Sequence, residues 1–280
     1  MKELQGKVAV ITGAAEGIGR AIAEQAAARG MKLVLADISE AKLNETVAAL
    51  RASGAEVEGI QVDVSKAEQV EALAVRAFER FGNVHLLVNN AGVALAKSAW
   101  ETTLADWEWV LGVNLYGVIH GIRAFVPRML EKGEEGHIVN TASVAGLVSQ
   151  PAMAAYNVSK FGVVTLTEGL HHDLTLRKTR LKASVLCPGW VKTRIAESDR
   201  HRDADERTDP SQLDGVSAKT GLSMFKAVQQ GIAPEQVADD VFAAVENEKF
   251  YILTHPETKA GVHVRKEDIL QERPPTLLPV

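Results

Sequence analysis

The segment Val8-Ala-Val-Ile-Thr is apolar at nearly every position, and it runs straight into Gly-Ala-Ala-Glu-Gly-Ile-Gly and an alanine-rich helical pattern. A strand that is apolar throughout, rather than at alternate positions, belongs in a sheet covered on both faces. The same rhythm continues along the chain. Short runs rich in β-branched residues read as strands at 7–12, 32–36, 56–61, 86–88, 136–141, 182–186 and 250–253. Helical patterns at 18–29, 40–52, 66–81, 104–131, 156–176 and 234–247 separate them. This alternation predicts an α/β fold: a doubly wound parallel sheet of about seven strands, helices on both faces, joined by right-handed crossovers.

No linker or internal repeat interrupts the pattern, so residues 1–280 read as a single domain. Two stretches break the rhythm. Residues 197–221 are charged and include the acidic run Asp203-Ala-Asp-Glu. Composition alone makes them a solvated loop, whereas their place between the sixth strand and the last helix suggests a lid, an insertion over about 190–232. Residues 256–280 read as a tail, because the prolines near its end suit neither helix nor central strand, and it is available to a neighbouring subunit.

With 46% hydrophobic and 24% charged residues the chain has ample core material for a globular protein. A net charge of −5 without a basic tract argues against nucleic acid as a partner. The apolar runs are too short for a membrane span, the first residues lack the apolar core of a signal peptide, and Cys187 is the sole cysteine. The expected setting is cytoplasmic. On that reading the sequons at Asn44 and Asn157 are chance. No metal-ligand spacing occurs: His171 and His172 are adjacent on a helix, so their rings diverge, and no metal is expected.

The glycines Gly13, Gly17 and Gly19 stand between the first strand and the first helix, spaced G-x-x-x-G-x-G. Glycines there permit a tight turn and bring backbone N–H groups at a helix N-terminus, those of Gly17 and Ile18, to a pyrophosphate. Asp37 ends the second strand, where a carboxylate meets the ribose hydroxyls of a dinucleotide. With Glu16 adding negative charge and Ile38, not arginine, following, the pattern selects NAD over NADP. Asp63 and Val64 end the third strand and could bracket the adenine. Asn90, Ala91 and Gly92 end the fourth, where a cofactor would lie, although turn residues are ordinary there.

Tyr156 and Lys160, four residues apart, share one helix face. An ammonium one turn from a phenol favours the phenolate, making the pair a proton-transfer device. Ser143, at the end of the fifth strand, could donate to an oxygen that Tyr156 also faces. Asn114, a middling helix former inside a long helix, suggests a bend holding a water between Lys160 and solvent. Trp190 and Met224 flank the lid, and Met153 lies close to the reacting pair in sequence. All three are expected in the substrate pocket. Trp100, Trp107 and Trp109 read as packing residues, and Cys187 as a small buried hydrophobe.

Taken together, Thr12-Gly-x-x-x-Gly-Ile-Gly19, Asp63, Asn89-Asn-Ala-Gly92, Asn114, Ser143, Tyr156-x-x-x-Lys160 and Pro188-Gly189 resemble the classical branch of the short-chain dehydrogenase/reductase (SDR) superfamily over about residues 5–195. The resemblance implies a Rossmann-like fold and an oxidoreductase interconverting a secondary alcohol and a ketone. It implies Tyr156 as acid/base, Ser143 as the group polarising the reacting oxygen, Lys160 on the nicotinamide ribose, and Asn114 completing a proton relay. Pro188, Gly189, Val191 and Thr193 would hold the nicotinamide end. Many members end in a strand and an Asp-Gly-Gly turn that assembles a tetramer. This chain has Phe250-Tyr-Ile-Leu-Thr-His-Pro instead, so a homo-oligomer, dimer or tetramer, is expected with the tetramer in doubt. The helix–strand ending resembles members acting on bulky, often aromatic, substrates. Epimerisation or dehydration with a retained cofactor, and a non-catalytic dinucleotide sensor, are the alternatives.

Overall fold

Val8–Thr12 is buried at every position and forms β1, an interior strand of the sheet. The computed structural model describes residues 1–278. After β1 come α1 (Gly17–Ala28), β2 (Lys32–Asp37), α2 (Glu40–Ala52), β3 (Val57–Gln61), α3 (Ala67–Phe81), β4 (Leu86–Asn89), α4 (Leu104–Leu111) and α5 (Gly117–Lys132). Then follow β5 (Gly136–Thr141), α6 (Ala154–Leu176), β6 (Leu181–Cys187), α7 (Gly215–Gln230), α8 (Pro234–Asn247), β7 (Tyr251–Leu253) and α9 (Thr258–Leu270). Among the described residues the strands form one parallel sheet in the order β3-β2-β1-β4-β5-β6-β7.

Both faces of the sheet are covered, as uniformly apolar strands require. Ile11, Leu33 and Leu86 pack on one face with Ile22, Leu43 and Phe242 of α1, α2 and α8. Their strand neighbours Val10, Val34 and Leu87 pack on the other with Leu73 and Phe125 of α3 and α5. The winding reverses between β1 and β4, so the loops that leave these two strands part and open a crevice at the carboxyl edge.

Buried polar side chains are tied across the sheet. Asn89 donates to Asn140 Oδ1 at 2.8 Å, and Asn140 donates to Thr167 Oγ1 at 3.0 Å, joining β4, β5 and α6. Near the amino edge His137 Nε2 meets Ser184 Oγ at 2.7 Å, and that hydroxyl donates to Lys249 O at 2.7 Å. With the hydroxyl's proton so used, Nε2 carries the histidine's hydrogen. Nδ1 has no partner among the described residues, and burial pushes His137 down to about 3.

The structure departs from the sequence reading in three regions. The helix expected over 104–131 is broken into α4 and α5 by a π-helical turn, Gly112–Tyr116, with Asn114 at its centre. The whole run Leu104–Lys132 has the length and composition of a membrane span, yet it packs on α3 and α6. The segments read as charged loop and tail contain α7 and α9. Asp214 caps α7 by accepting from the N–H groups of Val216 and Ser217. Asp268 of α9 accepts from Thr276 N at 2.9 Å and pairs with Arg273 at 3.0 Å, folding the final residues back onto the chain's own helix.

Candidate active site

The glycine loop is shaped by contacts that a side chain would block. Gly13 has φ +64°, and a Cβ on it would stand 2.8 Å from Ala91 Cα. A Cβ on Gly19 would stand 2.0 Å from Gly13 O, so Gly19 packs behind the loop and does not line the crevice. Thr12 Oγ1 accepts from the backbone N–H of Asn90 and Ala91 at 3.0 and 3.1 Å, and Asn90 Nδ2 donates to Thr12 O at 3.1 Å. These bonds fix the carboxyl ends of β1 and β4 to each other.

The crevice is one continuous cavity of about 1060 Å³. Gly13, Glu16, Gly17, Ile18, Asp37, Ile38, Asp63, Val64, Asn90, Ala91 and Gly92 line one end. Ser143, Met153, Tyr156, Lys160, Pro188, Gly189, Trp190, Val191, Thr193 and Met224 line the other. Asp37 accepts from Ala15 N at 3.0 Å and from Ser39 N at 2.9 Å, so its carboxylate is held in place beside the glycine loop. Asp63 Oδ1 is turned to Ser65, accepting from its hydroxyl at 2.7 Å.

Asn114 is completely buried behind this wall. Its Oδ1 accepts from Val93 N at 2.8 Å, while Nδ2 donates to Val93 O at 2.9 Å and Ser159 Oγ at 3.1 Å. Both amide hydrogens are therefore committed. The side chain clamps the strand exit after β4 rather than offering a donor to the expected water, and the π-turn is the bend that brings it there.

Lys160 is buried, and one of its three donors reaches Thr141 O at 3.0 Å. Burial lowers its pKa to about 8. Its Nζ stands 5.6 Å from the centre of the Tyr156 ring. The sequence led to an ammonium that draws the phenol down. In the protein burial pushes Tyr156 up, opposed by a hydrogen bond with Ser143. Ser143 Oγ also accepts from Ala145 N at 3.1 Å, which orients the hydroxyl.

Beyond Tyr156 the wall is apolar: Met153, Met224, Ala94 and Val228 form a cluster against Tyr156, Trp190 and Ile195. Trp109, read as packing, also lines the cavity, whereas Trp100 is 83% exposed. Sequence reasoning missed the contributors from beyond β7. His255 Nδ1 accepts from Gly189 N at 3.1 Å, and Val264 and Leu278 form part of the distal wall. It also missed the cations. Arg194, Arg200 and His201 come from the lid to the Asp37 end, where Lys42 also lies. Burial is the main cause lowering His201, Arg200 adds to it, and Asp37 and Glu16 oppose it. None of these positions has a local motif; only the return of the chain over the sheet reveals them.

A model of the short chain dehydrogenase family matches residues 7–204. The chain belongs to the short-chain dehydrogenases. A "CLA biosynthesis dehydrogenase/reductase" of Lactiplantibacillus plantarum is 38% identical, over 98% of this chain and 97% of that protein. The crystal structure of an SDR from Burkholderia phymatum in complex with NAD is 50% identical with a TM-score of 0.95, covering 100% of this chain and 99% of that one. An alcohol dehydrogenase from Thermococcus sibiricus, complexed with 5-hydroxy-NADP, is 27% identical with a TM-score of 0.72, over 89% of this chain and 96% of that one. As a short-chain dehydrogenase this chain is an oxidoreductase, and its sheet is the Rossmann-like α/β sheet of those structures.

Proposed function

We propose that this SDR oxidises a bulky, largely apolar secondary alcohol to its ketone, or runs the reverse reduction, with NAD(H) in preference to NADP(H). The observation that carries the reading is the single cavity. It has a fixed carboxylate, Asp37, at one end and the Ser143–Tyr156–Lys160 group at the other, with an apolar chamber beyond.

The residues fit a dinucleotide. Gly17 and Ile18, at the start of α1, line the crevice, and the first turn of a helix has N–H groups to offer a pyrophosphate. Asp37, already held by two backbone donors, retains acceptor capacity for ribose hydroxyls and repels a 2′-phosphate. Lys160 keeps donors for the second ribose. Asp63 and Val64 flank the adenine position, and Val191 and Thr193 the carboxamide. When bound, the nicotinamide supplies the hydride chemistry.

The protein's own part is proton management. Tyr156 Oη gives its proton to the ketone oxygen during reduction, or takes the hydroxyl proton during oxidation, and Ser143 holds the same oxygen. A phenol pushed up by burial carries its proton at neutral pH, as the reductive direction needs. In the oxidative direction the nearby Lys160 ammonium favours the phenolate. Asn114 positions the chain after β4 through Val93. A homo-oligomer in the cytoplasm is the setting we assign.

The test is reduced-cofactor formation across a panel of aliphatic, steroidal, sugar and aryl secondary alcohols with NAD and NADP. Turnover should favour apolar alcohols and NAD, and Tyr156→Phe should cut kcat by about 10²–10⁴-fold while NADH still binds. Equal use of NADP, or turnover surviving Tyr156→Phe, overturns the reading.

A further inference from the structure

The lid returns to the crevice as a short strap. Its helical part, Ile195–His201, lies between Thr193, whose methyl a Cβ on Gly17 would meet at 3.1 Å, and Arg202, which is buried. The Arg202 end is pinned firmly. Arg202 Nη1 donates to Asp106 Oδ1 at 2.7 Å, Lys97 completes the same carboxylate at 2.8 Å, and the guanidinium lies 4.7 Å over the Trp109 ring. In the middle Ser198 accepts from Ala94 N at 3.0 Å, fastening the strap to the loop after β4.

The remaining attachment crosses the mouth of the crevice. Glu16 stands at the N-cap position of α1 but makes no capping bond, so its carboxylate is turned to the strap. Arg200 Nη2 donates to Glu16 Oε1, and Arg194 Nη1 lies 3.7 Å from Oε2. Arg200 is held ready for this contact, since Nη1 donates to the carbonyls of Arg194 and Glu197 at 2.8 and 3.0 Å. Glycine loop, strap and Glu16 together enclose the part of the cavity between Asp37 and Tyr156.

We propose that Glu16 with Arg200 and Arg194 is a latch between the phosphate-binding loop and the lid, and that it sets how long a dinucleotide stays bound. This rests on the dinucleotide reading of the crevice. A ligand lying along Gly13, Gly17 and Thr193 must pass the strap to leave. Because the strap is pinned at Ser198 and Arg202, on either side of Arg200, its backbone stays in place, and what release of the latch frees is the pair of arginine side chains across the mouth. Arg200 thus acts on the nucleotide through Glu16, as a positioning residue.

The experiment is displacement of NADH, followed by its fluorescence in a stopped-flow instrument, with no turnover involved. Arg200→Gln should raise the NADH dissociation rate about fivefold, the scale of a partly exposed ion pair. The same change made in the Glu16→Gln background should leave the rate within about twofold, because the partner is already gone. An equal acceleration in both backgrounds, or none in either, overturns the latch. If the wild-type chain binds no NADH, the dinucleotide reading itself falls; if it binds but Arg200→Gln changes nothing, only the latch does.

Discussion

At the Asp37 end the cavity is backed by tightly packed backbone: Gly13 lies against Ala91, Gly19 packs behind Gly13, and Asp37 is held by two N–H groups. Beyond Tyr156 it is walled by side chains, Met153, Trp190 and Met224 among them, borne on segments that follow the strands. A backbone wall has no slack, because moving one atom displaces a strand end. A wall of methionine side chains can be recut without moving the sheet. The contrast places tolerance to change at one end of a single cavity and intolerance at the other.

The sharpest way to break this comparison is Gly19→Ala. Its Cβ would meet a backbone oxygen, and we expect NADH binding to weaken about a hundredfold, measured by fluorescence titration. Binding kept near the wild-type value would show that the loop does have slack. Met224→Ala probes the other end. It should shift the kcat/KM ratio between a small and a bulky alcohol by about tenfold. NADH affinity should not follow, and if it does the two ends are not independent.

What could be read in the sequence follows the same division. Strand runs such as 7–12 and 32–36 were legible because burial on both faces leaves them mostly apolar. The site residues of the first half sit at strand ends, where position and chemistry coincide. Ser143, Tyr156 and Lys160 likewise meet in the fold. The distal wall was not legible. Nothing near Leu278 shows that Asp268 turns the chain back to the cavity, and α9 has too weak an apolar stripe to announce itself. Arg200 was hidden in a charged stretch that reads as solvated, and its partner Glu16 lies far away in the chain. The π-turn at Asn114 answers to a tertiary bond with Val93 that no local periodicity encodes.

His137 sets a limit of another kind. Neutral and enclosed in β5, it resists protonation until about pH 3, against an ordinary value of 6.5. The unfolded chain therefore takes up a proton on His137 that the folded chain refuses, and stability falls as pH drops from about 6.5 toward 3. His85, lowered chiefly by burial though opposed by Glu134, stands at the same amino edge. Thermal midpoints should decline between pH 7 and pH 4, less steeply after His137→Gln; a slope the variant leaves unaltered removes the histidine from the account. Acid would then loosen the sheet from the edge farthest from the crevice, with the strand ends that bear the chemistry among the last parts to feel it.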